Sequence, residues 1–386
     1  MLTLVFWTIL ALTFVVQTLW ANTVERRGLV YGLSGAVGIA LITTPTLIHG
    51  AALAVSVAGL MIGTRLIAHH RHMGSVLVGT GVILAIWVIG KALQGSGLVR
   101  LEILFIGISY MLVKSWSLFK DMLDGKIERV SQCEVLGYLL HLPTLQLGPM
   151  HQFAEFRGSL ELPYRIDAVR LIDCLFRIVL GLVKIMIVAP LLAPASLSAL
   201  VDAPAIPVTA LLSGALIYSI VLLCDFSGYC DIAIATSRLV GMDVPENFNW
   251  PYLASSIRDF WRRWHISFSR ALTAHVFMPV SRVLARRLPH SSALASALAT
   301  IITFAFCGYW HGATVNFILW GLWHALGLVV QDANARRMRR SGLRPSMKKS
   351  VVVKAKDTII TFVFVSIGWI FFALPVAALG RIIWSL

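Results

Sequence analysis

Long apolar runs separated by short polar or basic stretches set the pattern of this chain. A membrane-spanning helix needs roughly 20 predominantly apolar residues. Runs of that kind lie at 2–21, 29–48, 50–68, 75–94, 101–119, 167–193, 205–224, 292–310, 312–330 and 358–380. Several are interrupted by Gly, Pro or polar residues, which membrane depth tolerates where the backbone is buried in protein or lines a watery cavity. The first run, LTLVFWTILALTFVVQTLWA, is too long and unbroken for a signal-peptide core and has no basic segment before it, so it predicts a transmembrane helix. The pattern as a whole predicts an all-α polytopic membrane protein forming a single integral membrane domain over 1–386. Within it, 1–100 holds N-terminal helices, 101–330 a core, 331–357 a basic cytoplasmic loop and 358–386 a C-terminal helix.

Composition agrees with the pattern. Of 386 residues, 58% are hydrophobic and 13% charged, against about 25% charged in a soluble domain. The net charge of +15 does not point to nucleic acid, because the cations are confined to stretches between apolar runs. Such confinement is the mark of cytoplasmic loops that fix orientation. VERRG after the first run and HHRHMG after the third are basic or histidine-rich, LIHG after the second has no full charge, and 258–287 and 336–356 are strongly basic. This predicts a cell (cytoplasmic) membrane protein with its N-terminus extracytoplasmic, and with 258–287 and 336–356 facing the cytoplasm. The loop near Lys91 and Arg100 is a mild exception. Cys133, Cys174, Cys224, Cys230 and Cys307 have no CxxC or metal spacing and read as buried thiols, with no metal site and no disulfide framework.

Two constellations carry candidate chemistry. The first is DFSGYCDIAIATSRLVGMDVPENFNWPYLASSIRDFWRRWHISFS, residues 225–269. Asp225 and Asp231 lie beside or within an apolar run, where ionisable groups mark a protein-lined cavity or sit at the headgroup boundary. Pro245 and Pro251 exclude a regular helix between them, and Asn247 and Asn249 suit a hydrogen-bonded turn. A helix restarts after Ser255 or Ser256 as N-cap, with Ile257, Phe260, Trp261, Trp264 and Phe268 on one face and Arg258, Arg262 and Arg263 largely on the other. This predicts an interfacial amphipathic helix with its tryptophans at headgroup depth. On chemistry alone His265 fits packing or hydrogen bonding somewhat better than catalysis.

The second constellation is CGYWHGATVNFILWGLWHA, residues 307–325. If 292–310 starts at the cytoplasmic face, its rise of about 1.5 Å per residue carries His311 at least to mid-bilayer. A neutral imidazole there could take a proton from an alcohol attacking an ester or thioester. A structural histidine fits equally well, and His324 reads as supporting or structural.

Both constellations resemble the membrane-bound O-acyltransferase (MBOAT) family, in its bacterial DltB/AlgI-like branch. The first matches the family's long central motif, and GYWHGATVNFILWGLWHAL matches the motif with its near-invariant histidine. GISYMLVKSWSLFKDMLDGKIERVSQCEVLGYLLHLPTLQLGPMHQFAEF, residues 107–156, is similar to the bacterial branch, and GWIFF adds a weaker likeness. The resemblance implies a ring of tilted transmembrane helices around a central tunnel, with roughly ten or more spanning segments. It also implies that His311 is the catalytic base and that His265 lines the cytoplasmic side of the tunnel and helps place the acyl donor. Asp225, Asn247, Asn249, Trp310, Asn316 and His324 would line or support the tunnel, and Arg258, Arg262 and Arg263 would form a donor-docking face. Family members often continue after WHISLS with WxRDYxYxP. This chain reads RALTAHVFMPV, which keeps Phe277 and Pro279 and lacks the Arg-Asp pair.

The implied reaction is O-acyl transfer. An activated D-alanyl or acetyl group would pass from a cytoplasmic thioester donor to a hydroxyl of a cell-envelope polymer or relay partner. The donor would be a phosphopantetheine carrier protein or acetyl-CoA, with no cofactor tightly bound. Asn316 or a backbone N–H is the candidate oxyanion donor, and a separate extracytoplasmic hydrolase-like or acyl-accepting partner would complete the transfer. The rivals are a secondary transporter, with His265, His311 and Asp225 as a relay, and a non-catalytic export scaffold. No repeat relates the two halves, which weighs against the transporter.

Overall fold

The computed structural model describes residues 4–19, 23–43, 47–70, 81, 84–85, 87–88, 102–145, 147–163, 166–203, 206–341 and 350–383, and over these the chain is helical without a strand. The expected span at 75–94 lies almost wholly outside the described residues, as do Lys91 and Arg100. Among the described residues, four helices are long and apolar enough to cross a membrane: Ala168–Ala195, Val208–Leu239, Ser292–His311 and Val351–Ala373. These four do not by themselves reach the expected count. Their outer faces carry Val169, Ile172, Phe176, Met186, Leu212, Ile359 and Ile360, all exposed. Such exposed apolar faces suit lipid and not water.

The chain falls into two compact units, Met1–Leu182 with Tyr229–Glu246, and Val183–Gly228 with Asn247–Leu386. The first unit holds α1 (Leu4–Leu19), α2 (Val24–Thr43), α3 (Leu47–His70), α4 (Glu102–Leu123), α5 (Gln132–Leu139) and α6 (Phe153–Glu161), most of α7 (Ala168–Val183) and the last turns of α8 (Val208–Leu239). A capping box starts α5: the Glu134 N–H donates to Ser131 Oγ at 3.2 Å, and the Ser131 N–H donates to Glu134 Oε2 at 2.8 Å. Burial would raise the Glu134 carboxyl, but the Arg157 guanidinium at 2.7 Å and the Ser131 amide outweigh it and hold the group below its ordinary value. Arg27, only 4% exposed, donates to the carbonyls of Leu160 (2.7 Å), Leu162 (2.6 Å) and Gly241 (3.1 Å). One side chain on α2 thereby satisfies orphan carbonyls where α6 ends and in the turn that follows α8.

The second unit holds the start of α8, then α9 (Ile257–Arg263), α10 (Ile266–Leu272), α11 (Met278–Arg287), α12 (Ser292–His311), α13 (Val315–Arg340), α14 (Val351–Ala373) and α15 (Val376–Ile383). Helices α12 and α13 pack so closely that a Cβ on Gly308 would overlap the Phe317 carbonyl, and one on Gly321 the Phe304 carbonyl. Small residues at such crossings let helices in lipid gain dispersion energy that lipid tails would otherwise supply.

Three expectations are corrected here. The helix expected to end near 224 runs on to Leu239, because Ile232, Ala233, Ile234 and Ala235 are buried and Thr236 returns its hydroxyl to the Ile232 carbonyl at 2.7 Å. The single amphipathic helix over the FWRRWH stretch is two helices, broken at Trp264 and His265. Its tryptophans do not form an exposed face: Trp261 is 9% and Trp264 4% exposed, each packed among other aromatic rings. The basic tract is helical up to Arg340 and again from Val351, with 342–349 outside the described residues.

Two glycine substitutions separate close packing from simple helix propensity. Gly321→Ala is expected to destabilise by about 1–3 kcal/mol, because the neighbour it meets is backbone. Gly158→Ala, inside α6 with nothing within 4 Å of the added carbon, should stabilise by up to about 1 kcal/mol. Unfolding of the purified variants in one detergent measures both, and equal effects would contradict the close crossing.

Candidate active site

The site begins with a backbone that cannot be regular. From Met242 to Phe248 the chain between α8 and α9 has no regular secondary structure, as expected where Pro245 and Pro251 exclude a regular helix. Trp250 (φ 45°) and His265 (φ 44°) are the two non-glycine residues in the left-handed region among the described residues. Such a conformation costs of order 1–3 kcal/mol and persists where its surroundings impose it. Ser256 caps α9 by accepting the Asp259 N–H at 3.2 Å, which settles the choice between Ser255 and Ser256.

Asn247, fully buried, imposes the conformation at His265. Its carbonyl accepts the Ile266 N–H at 3.0 Å, and its side-chain Oδ1 accepts the Ser267 N–H at 3.1 Å and the Ser267 hydroxyl at 2.8 Å. The same oxygen lies 3.2 Å from His265 Nδ1. Asn249, exposed, gives its N–H to the Arg263 carbonyl at 2.9 Å. Asn247 and Asn249 are thus laced along the break between α9 and α10, supplying partners that a broken helix lacks.

The imidazole of His265 is 5% exposed, edge-on to Phe226 (4.8 Å between ring centres) and stacked on Phe268 (4.9 Å). Burial pushes it well below the ordinary histidine value, and the nearby His311 adds to the shift. His311 is the last residue of α12, half-buried, and the extended Gly312 leads on to α13. Its ring meets Phe268 at 6.0 Å, Trp320 edge-on at 5.1 Å and Phe372 at 5.3 Å. Phe268 therefore contacts both histidines, and the two constellations, more than forty positions apart in the chain, meet across one ring.

The other expected residues divide. Trp310 (7% exposed) packs on Phe268, and Asn316 (7% exposed) lies in the first turn of α13, five positions after His311. His324 is fully buried among Phe260, Trp261, Trp320, Phe364 and Trp369, with neither ring nitrogen hydrogen-bonded among the described residues. Trp320 touches both His311 and His324, so His324 lies behind the indole on which His311 rests. Asp225 is exposed on α8, and no hydrogen bond or ion pair joins it to either histidine, although its neighbour Phe226 touches His265. Asp231, in the first unit, is 3.0 Å from Arg177, which also binds Glu246. Arg258 pairs with Asp332 and Arg263 with Asp259 at 3.0 Å, which leaves Arg262 as the exposed arginine of the three without an ion pair among the described residues. Among those residues no cluster of His, Cys, Asp or Glu could hold a metal.

Sequence reasoning placed Phe268 on an apolar face but missed its contact with both histidines. It also missed Trp320 and Phe372 as the walls around His311. Aromatic residues at helical spacing signal burial equally well anywhere in a core, so no sequence signal distinguished these three.

The neutral buried state of His265 has a consequence for stability. Its value in the folded chain is depressed, so the unfolded chain binds the extra proton first. The contribution is complete above about pH 6.5 and is lost as pH falls below it. Thermal unfolding should therefore move to lower temperature below about pH 6.5, with a shallower decline in His265→Asn, whose residue type tolerates the left-handed region. An identical pH dependence in the variant would contradict a neutral His265.

Comparison with known proteins agrees with the motif reading. The sequence profile of the membrane-bound O-acyltransferase family matches residues 47–374. A teichoic acid D-alanyltransferase of Streptococcus thermophilus is 30% identical over 289 residues, covering 70% of this chain and 68% of the relative. A peptidoglycan O-acetyltransferase of Helicobacter pylori is 38% identical over 155 residues, 40% of this chain and 27% of the relative. A probable alginate O-acetylase, AlgI, of Pseudomonas aeruginosa is 31% identical over 273 residues, 69% and 48% of the two chains. The chain thus spans about two thirds of the first relative and half or less of the other two. With the family's profile running through both histidine constellations and the aromatic residues that join them, this membrane protein belongs to the membrane-bound O-acyltransferase (MBOAT) family, in its DltB/AlgI-like branch.

Proposed function

We propose that this O-acyltransferase esterifies a hydroxyl of a cell-envelope polymer, or of a relay partner, with a D-alanyl or acetyl group drawn from a cytoplasmic thioester. The reading rests on one observation above all: His265 and His311 both contact Phe268, and the rings around His311 are aromatic. His311 acts as general base. Its imidazole takes the proton of the acceptor hydroxyl as the oxygen attacks the thioester carbon. The new C–O bond forms, the C–S bond breaks and the departing sulfur takes the proton back. Asn316, close after His311 in the chain, is the proposed hydrogen-bond donor to the oxyanion.

The donor, a phosphopantetheine carrier protein or acetyl-CoA, docks on the cytoplasmic side, with exposed Arg262, which makes no ion pair among the described residues, on the FWRRWH stretch. The protein sits in the cell membrane with its N-terminus outside. A separate extracytoplasmic hydrolase-like or acyl-accepting partner carries the group onward. A relay through His265, His311 and Asp225 has less support, because Asp225 is exposed and bonded to neither histidine.

Mild alkali releases O-acyl groups from isolated envelopes, and chromatography identifies the freed acid. At equal membrane expression, His311→Ala should lose one such ester, whose identity, acetate or D-alanine, fixes the acyl group. Unchanged esters would remove His311 from catalysis.

A further inference from the structure

The hydrogen bonds around Asn247 fix more than a backbone turn. A backbone N–H can only donate, and the Ser267 N–H points at the same Asn247 atom that lies against His265 Nδ1. That atom must therefore be the amide oxygen, which can only accept. Since an oxygen acceptor faces Nδ1, Nδ1 must carry a proton. In a neutral imidazole the lone pair then belongs to Nε2.

Nε2 makes no hydrogen bond among the described residues and, unlike both ring nitrogens of His324, is not a sealed, unpartnered atom of the interior. The remaining ring faces meet Phe226 from α8 and Phe268 from α10, neither of them polar, and the titratable group facing His265 is His311 at the end of α12.

We propose that Asn247 is a positioning residue that holds His265 in its Nδ1–H tautomer, so that His265 meets the reacting groups with the Nε2 lone pair and takes there a hydrogen-bond donor, an N–H or O–H of a substrate. This rests on the acyl-transfer reading and sharpens it. A neutral His265 so fixed cannot donate from Nε2, so it neither steadies the oxyanion nor protonates the departing sulfur. Those tasks fall to other groups, and His265 orients a substrate by accepting. The left-handed backbone at His265 serves the same end, because it brings Nδ1 and the Ser267 N–H to one oxygen.

Two measurements test this. The first needs no turnover: nitrogen-15 NMR of histidine-labelled protein in nanodiscs, with His265→Asn identifying the His265 signals. The expected spectrum has a protonated Nδ1 and an unprotonated Nε2 at neutral pH. A protonated Nε2, in either the other tautomer or the imidazolium, overturns the proposal. The second is the pH profile of kcat/KM in Asn247→Asp, which keeps an oxygen for all three donors but places a carboxylate beside Nδ1. That charge favours imidazolium, so the acidic limb should move to higher pH by about 1–3 units, with activity recovering as pH rises. Loss by one factor at every pH, or no change, overturns it. Absence of acyl transfer in the wild type would instead strike the function reading, while the spectrum still decides the tautomer.

Discussion

A helix broken inside a membrane protein must find partners for the backbone groups it releases, and at His265 the partner is Asn247. Water is scarce at such a place, and an unpaired amide costs free energy comparable to a lost hydrogen bond or more. Asn247 answers twice over, accepting the Ile266 N–H with its main chain and the Ser267 N–H with its side chain. With these bonds made, His265 can hold a left-handed conformation that a continuous helix would forbid. The ring is then stacked on Phe268 rather than on the face a regular helix would give it. The prolines at 245 and 251 keep the chain between them out of a regular helix, which leaves Asn247 available to the break.

The other half of the site depends on a different constraint. Helices α12 and α13 approach at Gly308 and Gly321 as closely as backbone permits, which brings the Trp320 indole against the ring of His311 at the end of α12. Trp320 in turn stacks on Trp369 from α14 and meets His324 from its own helix. His311 is thus walled by the aromatic rings of Trp320, Phe268 and Phe372.

Much of this was legible in the sequence, and what was not has physical causes. The apolar runs gave the helical class, and the prolines gave the irregular stretch before the FWRRWH motif. The break at His265 was illegible because Ile257, Phe260, Trp261, Trp264 and Phe268 keep a helical period straight through it. Only the distant Asn247 decides that the helix stops. The extension of α8 past Asp225 was hidden by polar residues that turn out to bond within their own helix or, like Asp231, to a neighbouring arginine. Both histidines stood out by motif, but their common neighbour Phe268 could emerge only when two segments far apart in the chain were placed together.

The most direct test is acyl transfer by the purified protein in liposomes, given a thioester donor on the cytoplasmic side and an alcohol acceptor, with free thiol and ester followed together. Wild type should release thiol in step with ester formed. His311→Asn, folded to the same thermal midpoint, should lose transfer by about 10²–10⁴-fold, the usual contribution of a general base. Transfer at the wild-type rate in that variant would contradict a mechanism in which His311 takes the hydroxyl proton.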